Sequence, residues 1–231
     1  MTKQTRFSIF VSAFIMSIFL CTYSYAGYNY GFQHIVEDGD KDSEIADGII
    51  GETQMSFSIL LKDALAEFTF YNSGPEASSI TDIYFDDDVP LLIFATNAGV
   101  NKTGFEYSNN ATVKFDVGAT PGDLPGGNNI TFSSDYSYDS DQPTQPMGVN
   151  PGEWVKLYFT IAVGKTFDNL IYALDDESFR VGIHVQGFAS DGSEAFVNGP
   201  GKPGDVVPEP ATLFLFGFGL IGFAGISRNK S

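Results

Sequence analysis

Cysteine is nearly absent. Cys21 is the single cysteine in 231 residues, so no disulfide framework can form within the chain. Histidine is scarce too. His34 and His184 stand 150 positions apart in sequence, and two distant imidazoles without a thiol make a zinc site a poor expectation. Cations are few: 12 Lys and Arg face 29 Asp and Glu, for a net charge of -17. A polyanion would be repelled, which argues against nucleic-acid binding. No "GxSxG", "HExxH" or Walker pattern occurs, and no EF-hand spacing. The expectation is a protein that is not an enzyme and has no resident cofactor. Long amphipathic helical periodicity and repeats of fixed period are also missing.

Aromatic residues are abundant at 15%, and charged residues amount to only 18%. That balance is too apolar for a disordered acidic tail and suits a β-rich globular domain with polar turns. The first 26 residues read as a secretory signal. Lys3 and Arg6 give a positive start, Phe7 to Leu20 an apolar run, and Ser24 and Ala26 small residues before a cut between Ala26 and Gly27. Cys21 would leave with that segment. Four of the 12 cations but only one acid, Glu209, fall outside residues 27–207. The trimmed chain therefore holds 8 cations and 28 acids, a net charge of -20. Such a surface repels its own copies and attracts divalent cations.

Between these ends, residues 27–53 read as an acidic, irregular lead-in and residues 54–198 as one β domain. Short apolar runs alternate with turn clusters there. "QMSFSILLK" sets Met55, Phe57, Ile59 and Leu61 on one face. "EWVKLYFTIAVG" does the same for Val155, Leu157, Phe159, Ile161 and Val163, and "FRVGIHVQ" for Phe179, Val181, Ile183 and Val185. Val113, Phe115 and Val117 share a face after a hairpin candidate at Asn109–Asn110. Residues 118–151 are rich in Gly, Pro, Asn, Asp and Ser, with one short strand expected near Ile130–Phe132 and an exposed loop around Asp139 and Asp141. Phe167–Leu174 reads as turn-rich. The fold expected is mainly β, a single antiparallel β-sandwich of jelly-roll type. Residues 199–207 read as a Gly/Pro linker.

The chain ends "VPEPATLFLFGFGLIGFAGISRNKS". Ala211 to Ile226 is an apolar stretch of 16 residues containing four glycines. A comfortable spanning helix needs about 20 residues, so this is a marginal anchor. Arg228 and Lys230 would hold its tip on the cytoplasmic side. Val207, Pro208, Glu209 and Pro210, then the apolar stretch, then Arg228, resemble the PEP-CTERM sorting signal of Gram-negative bacteria. The resemblance implies an exported protein, transiently inserted in the inner membrane through residues 211–226. It implies export machinery and an exosortase (a membrane cysteine protease) as partners, with the tail removed near the motif. Delivery to the outer surface or extracellular matrix, beside exopolysaccharide, is the expected destination. The middle of the chain also resembles a recurring domain of PEP-CTERM surface proteins, in "ITDIYFDD", "PGDLPGG", "GVNPGEWVKLYF" and "FRVGIHVQGFASDGSEAFVN". That likeness implies location and fold type and no chemistry.

Four candidate sites stand out. Asp86, Asp87 and Asp88 close a strand and offer hard oxygen ligands for Ca²⁺. Because neighbouring strand side chains point to opposite faces, all three reach one ion only if the chain turns there. Trp154, Tyr136 and Tyr138, with Tyr158, are candidates for an aromatic platform that stacks sugar rings. Together they define the alternative function, a Ca²⁺-assisted exopolysaccharide-binding module. His184 is a candidate acid–base group on the outward face of its strand. An extracellular hydrolase, with Asp175 and Asp176 as a carboxylate pair, is the remote third reading.

Overall fold

The computed structural model describes residues 27–37, 39–93, 105–107 and 112–199. These described residues all belong to one compact unit. The expected signal segment, the hairpin at Asn109–Asn110, the linker beyond Gly199 and the apolar tail lie outside the described residues.

Among the described residues there are eleven antiparallel strands: β1 Tyr28–His34, β2 Met55–Lys62, β3 Leu65–Asn72, β4 Ser79–Asp86, β5 Leu92–Ile93, β6 Phe105–Tyr107, β7 Phe115–Val117, β8 Tyr136–Ser140, β9 Glu153–Ile161, β10 Arg180–Gln186 and β11 Ser193–Asn198. They join in one sheet, ordered β5-β9-β3-β2-β1-β11-β10-β4-β8-β7, with β6 also beside β9. The hinge of this sheet is β1. Its first half, Tyr28–Gly31, pairs with β2, and its second half, Phe32–His34, pairs with β11. The sheet curls about that strand into a half-barrel. As a result the Phe68 ring of β3 meets the Phe85 ring of β4 at 5.4 Å, although four strands separate them in the sheet. The mainly antiparallel β class expected from alternation is therefore present, as one continuous curled sheet.

Alternation explains which face turns inward. Met55, Phe57 and Ile59 are buried, as are Val155, Leu157 and Phe159, and Phe179, Val181, Ile183 and Val185. Val163 departs from its expected place and is 97% exposed. Its strand stops at Ile161, and Gly164 (φ +81°) turns the chain away. The β2–β3 hairpin turns on Asp63 and Ala64 with φ of +50° and +66°, the left-handed pair that a two-residue turn needs to match strand twist.

Among the described residues three helices differ from the expected layout. The segment read as irregular holds β1 and helix α1, Asp42–Gln54. Two glycines inside α1 lower its intrinsic propensity. Both are contact points: a Cβ on Gly48 would overlap the His34 ring, and one on Gly51 the Phe196 ring. Close docking on β1 and β11 thus holds a helix that local preference disfavours. Helix α2 is the single turn Thr144–Met147. Helix α3, Phe167–Asp175, starts from a Thr166–Asn169 capping box and drives Leu170 and Leu174 into the main core. The strand expected near Ile130–Phe132 is a 3₁₀ turn, Gly127–Ile130, and the exposed loop expected at Asp139 is strand β8. A second, smaller apolar cluster of Ile35, Tyr84, Leu124, Phe132 and Ala195 forms where the 118–134 segment covers the outer side of β4 and β10.

Candidate functional site

The three aspartates at the end of β4 do not converge as one set. Side-chain alternation sends Asp86 and Asp88 one way and Asp87 the other. Asp86 is buried and faces Arg180, its register partner on β10. The guanidinium reaches Asp86 Oδ2 through Nε at 3.2 Å and Nη2 at 2.5 Å. Asp87 accepts the Leu91 amide at 2.8 and 3.0 Å and the Leu92 amide at 3.0 Å, tying down the turn into β5. Burial pushes the Asp87 carboxyl above its ordinary range, while those amides pull the other way. The Asp87 amide in turn donates to Asp135 Oδ2 at 2.7 Å.

The group that comes together is Asp86, Asp88 and Asp135, with one carboxylate oxygen each, all within 4.8 Å of one another. Asp86 is buried; Asp88 and Asp135 are exposed. Asp87 is replaced in the expected triple by Asp135, which lies 47 positions beyond Asp88. No linear pattern marks Asp135, because the 127–135 turn brings it to the strand end. Three carboxylates at this spacing suit a hard cation such as Ca²⁺. Arg180 already supplies Asp86 with one positive charge.

The proposed aromatic platform is divided. Tyr138 is 7% exposed, with its ring 6.2 Å from those of Phe85 and Phe159 in the core. Tyr136 packs against the same core. Burial disfavours the phenolate of both, so each ionises at a higher pH than a free tyrosine. Trp154 lies on the opposite side of the sheet, where β9 pairs it with Tyr71 of β3. The Lys156 ammonium sits 5.0 Å from the Trp154 ring centroid. Lys62 lies 5.9 Å from that of Tyr158. Both lysines pair with the buried Glu67 at 3.3 Å. This outer layer is thus a cation–aromatic network, and Tyr138 and Tyr136 do not extend it because strand parity turns them inward.

The remaining candidates are engaged locally. His184 Nδ1 lies 3.0 Å from Asp82 Oδ2, and His34 Nε2 lies 2.9 Å from Glu194 Oε2. Asp175 accepts from the Tyr30 hydroxyl at 3.2 Å, and Asp176 accepts the Ser178 amide at 3.0 Å. Asp175 and Asp176 therefore serve a core contact and a turn, and do not oppose each other as a catalytic pair. Among the described residues no helix is long and apolar enough to cross a membrane.

One comparison identifies a segment of known type. Residues 206–229 match the family model of the PEP-CTERM protein-sorting motif. The match spans Val207, Pro208, Glu209, Pro210 and Arg228, all outside the described residues. The chain carries a PEP-CTERM sorting motif at that end, and this implies export and exosortase-dependent, membrane-associated sorting to the cell surface. No curated protein and no solved structure matches the chain.

Proposed function

We propose that the protein is an exported, non-enzymatic surface or matrix component whose tail is a temporary address and whose working part is the curled β domain. The match at residues 206–229 carries the sorting part of this reading. The short apolar stretch supports it, because a marginal anchor suits a segment that is discarded. Cutting near Ala26–Gly27 and near Val207–Pro210 would release a chain of net charge -20, soluble and self-repelling. In finer detail, the two facing halves of the curled sheet are read as a sandwich of jelly-roll type. Mass spectrometry of the protein recovered from cells with and without exosortase tests the sorting reading. With the enzyme, the recovered chain is expected to lack Phe214–Ile226. Replacing Pro208, Glu209 and Pro210 by alanine is expected to leave them attached. Retention of the tail in wild-type cells would overturn the proposal.

A second reading, Ca²⁺-assisted binding of exopolysaccharide, is favoured by the convergence of Asp86, Asp88 and Asp135. Sugar contact would then fall to Trp154 and its neighbour Tyr71. Calcium at ten times its dissociation constant adds about 1.4 kcal/mol to stability, a rise of roughly 3–6 °C in melting temperature for a domain this size. An unchanged melting temperature between chelator and millimolar Ca²⁺ would count against the ion. Absence of glycan retention with Ca²⁺ present would count against the sugar.

A further inference from the structure

On the outer side of the β10–β4–β8–β7 half, strand register sets four ionisable side chains in one row. His184 lies opposite Asp82, Asp82 opposite Asp139, and Asp139 opposite Asp116. Like charges directly opposite across a sheet repel. The sheet nevertheless closes here, and Asp82 is only 3% exposed. Asp82 and Asp139 face each other from directly opposed positions of β4 and β8, close enough for a carboxyl–carboxylate hydrogen bond. Two ionised carboxylates offer only acceptors, so this bond needs a proton on one of them. One Asp82 oxygen, Oδ2, already faces His184 Nδ1 at 3.0 Å and accepts the Thr81 hydroxyl at 2.8 Å. Asp139 is therefore the partner that donates. Thr81 reaches Asp82 because the register shifts between His184 and Val185, a bulge that turns the hydroxyl outward.

We infer that the Asp82–Asp139 carboxyl pair is a proton-dependent clasp, holding the β8–β7 end of the sheet closed in mildly acidic surroundings and loosening it near neutrality. The groups that act on it come from every neighbouring element. Asp82 and Tyr84 belong to β4, His184 and Gln186 to β10, Asp116 to β7, Asp141 to the chain just past β8, and Asp123 to the covering segment. Burial first, then Asp82 and Asp141, raise the Asp139 carboxyl to about 6. The folded state thus holds a proton that the unfolded chain gives up near 3.8. Its stabilising effect is complete below that value and is lost as pH rises through about 6. What loosens is defined by backbone contacts. Gly118 donates to the Ser137 carbonyl at 2.8 Å and Ala119 to the Ser137 hydroxyl at 2.9 Å, so β8 carries the start of the 118–134 segment with it.

The test is amide hydrogen exchange on the full chain in detergent, at pH 5 and pH 7.5, expressed as protection factors. Protection of β7 and β8 amides is expected to fall about three- to fivefold at the higher pH: proton linkage between 3.8 and about 6 gives about tenfold over this interval, and the partial exposure of Asp139 reduces it. Strands β2 and β3 serve as the internal reference. Asp139→Asn donates at every pH, so its β7–β8 protection is expected to be flat. Equal pH dependence in the variant and the wild type, or no wild-type change, would overturn the clasp. If the variant fails to fold, the carboxyl ¹³C titration of wild-type Asp139 decides. A midpoint near 6 supports the proposal, and one near the ordinary aspartate value removes it.

Discussion

Arg180→Ala is expected to lower the unfolding free energy by about 3–5 kcal/mol, read from urea unfolding monitored by circular dichroism. The estimate follows from what the guanidinium leaves behind. Asp86 has a side chain only 3% exposed, and Arg180 is its ion-pair partner. The Ser133 amide, at 3.3 Å, cannot balance a buried carboxylate by itself. The same guanidinium donates to the Ile130 carbonyl at 2.7 Å and the Thr131 carbonyl at 2.6 Å, and lies 5.2 Å from the Phe132 ring. Five contacts from one planar group fasten the 127–134 turn to the sheet, and Thr131 is held there at φ +55°. Arg180→Lys retains the charge but loses the fork, so about half of the alanine loss is expected. Proteolysis of the variants should begin in the 118–134 segment before the strands open. A loss below 1 kcal/mol for alanine would mean that water reaches Asp86 and that the latch is not structural.

The sequence rendered the strands well where one face is apolar and the other polar. β2, β9 and β10 follow the alternation of Phe57 and Ile59, of Val155 and Leu157, and of Val181 and Ile183. It did not reveal α1, because Gly48 and Gly51 look like helix breakers until the rings they admit, His34 and Phe196, are known. It did not reveal β8 either. "YSYDS" has the composition of a loop, and its strand character comes from pairing with β4 on one side and β7 on the other. The same physics divides the candidate sites. Asp86 and Asp88 could be read as one cluster from spacing. Asp135 could not, since its proximity depends on Arg180 folding the 127–135 turn back. Tyr136 and Tyr138 look like a platform in composition, yet strand parity alone assigns them to the core side, opposite Trp154. The sorting motif needed no fold at all, because its order of parts is itself the signal.

Phe85→Ala is expected to cost about 3–5 kcal/mol, the range for removing a fully buried aromatic side chain and leaving a cavity. Phe85 is 0% exposed and occupies the point where the curl closes. Its ring lies 5.4 Å from Phe68 and 6.2 Å from Phe70 on one half of the sheet, 5.1 Å from Phe159 of β9, and 6.2 Å from Tyr138 and Phe179 on its own half. Three of these contacts cross the core, so the cavity would open between the halves, where strand hydrogen bonds cannot compensate. Cys21 lies outside the described domain and no other cysteine exists to staple it. Phe85→Leu keeps much of the volume and is expected to lose under about 2 kcal/mol. Truncating the exposed Val163 should change stability by less than about 0.5 kcal/mol. A double-mutant cycle of Phe85 and Phe68 should return a coupling of about 0.5–1.5 kcal/mol, because their edge-to-face contact joins the two halves. Additive losses would show that the halves are stabilised separately, through the β1 hinge and their own hairpins. The curled sheet would then be two layers that touch without supporting each other.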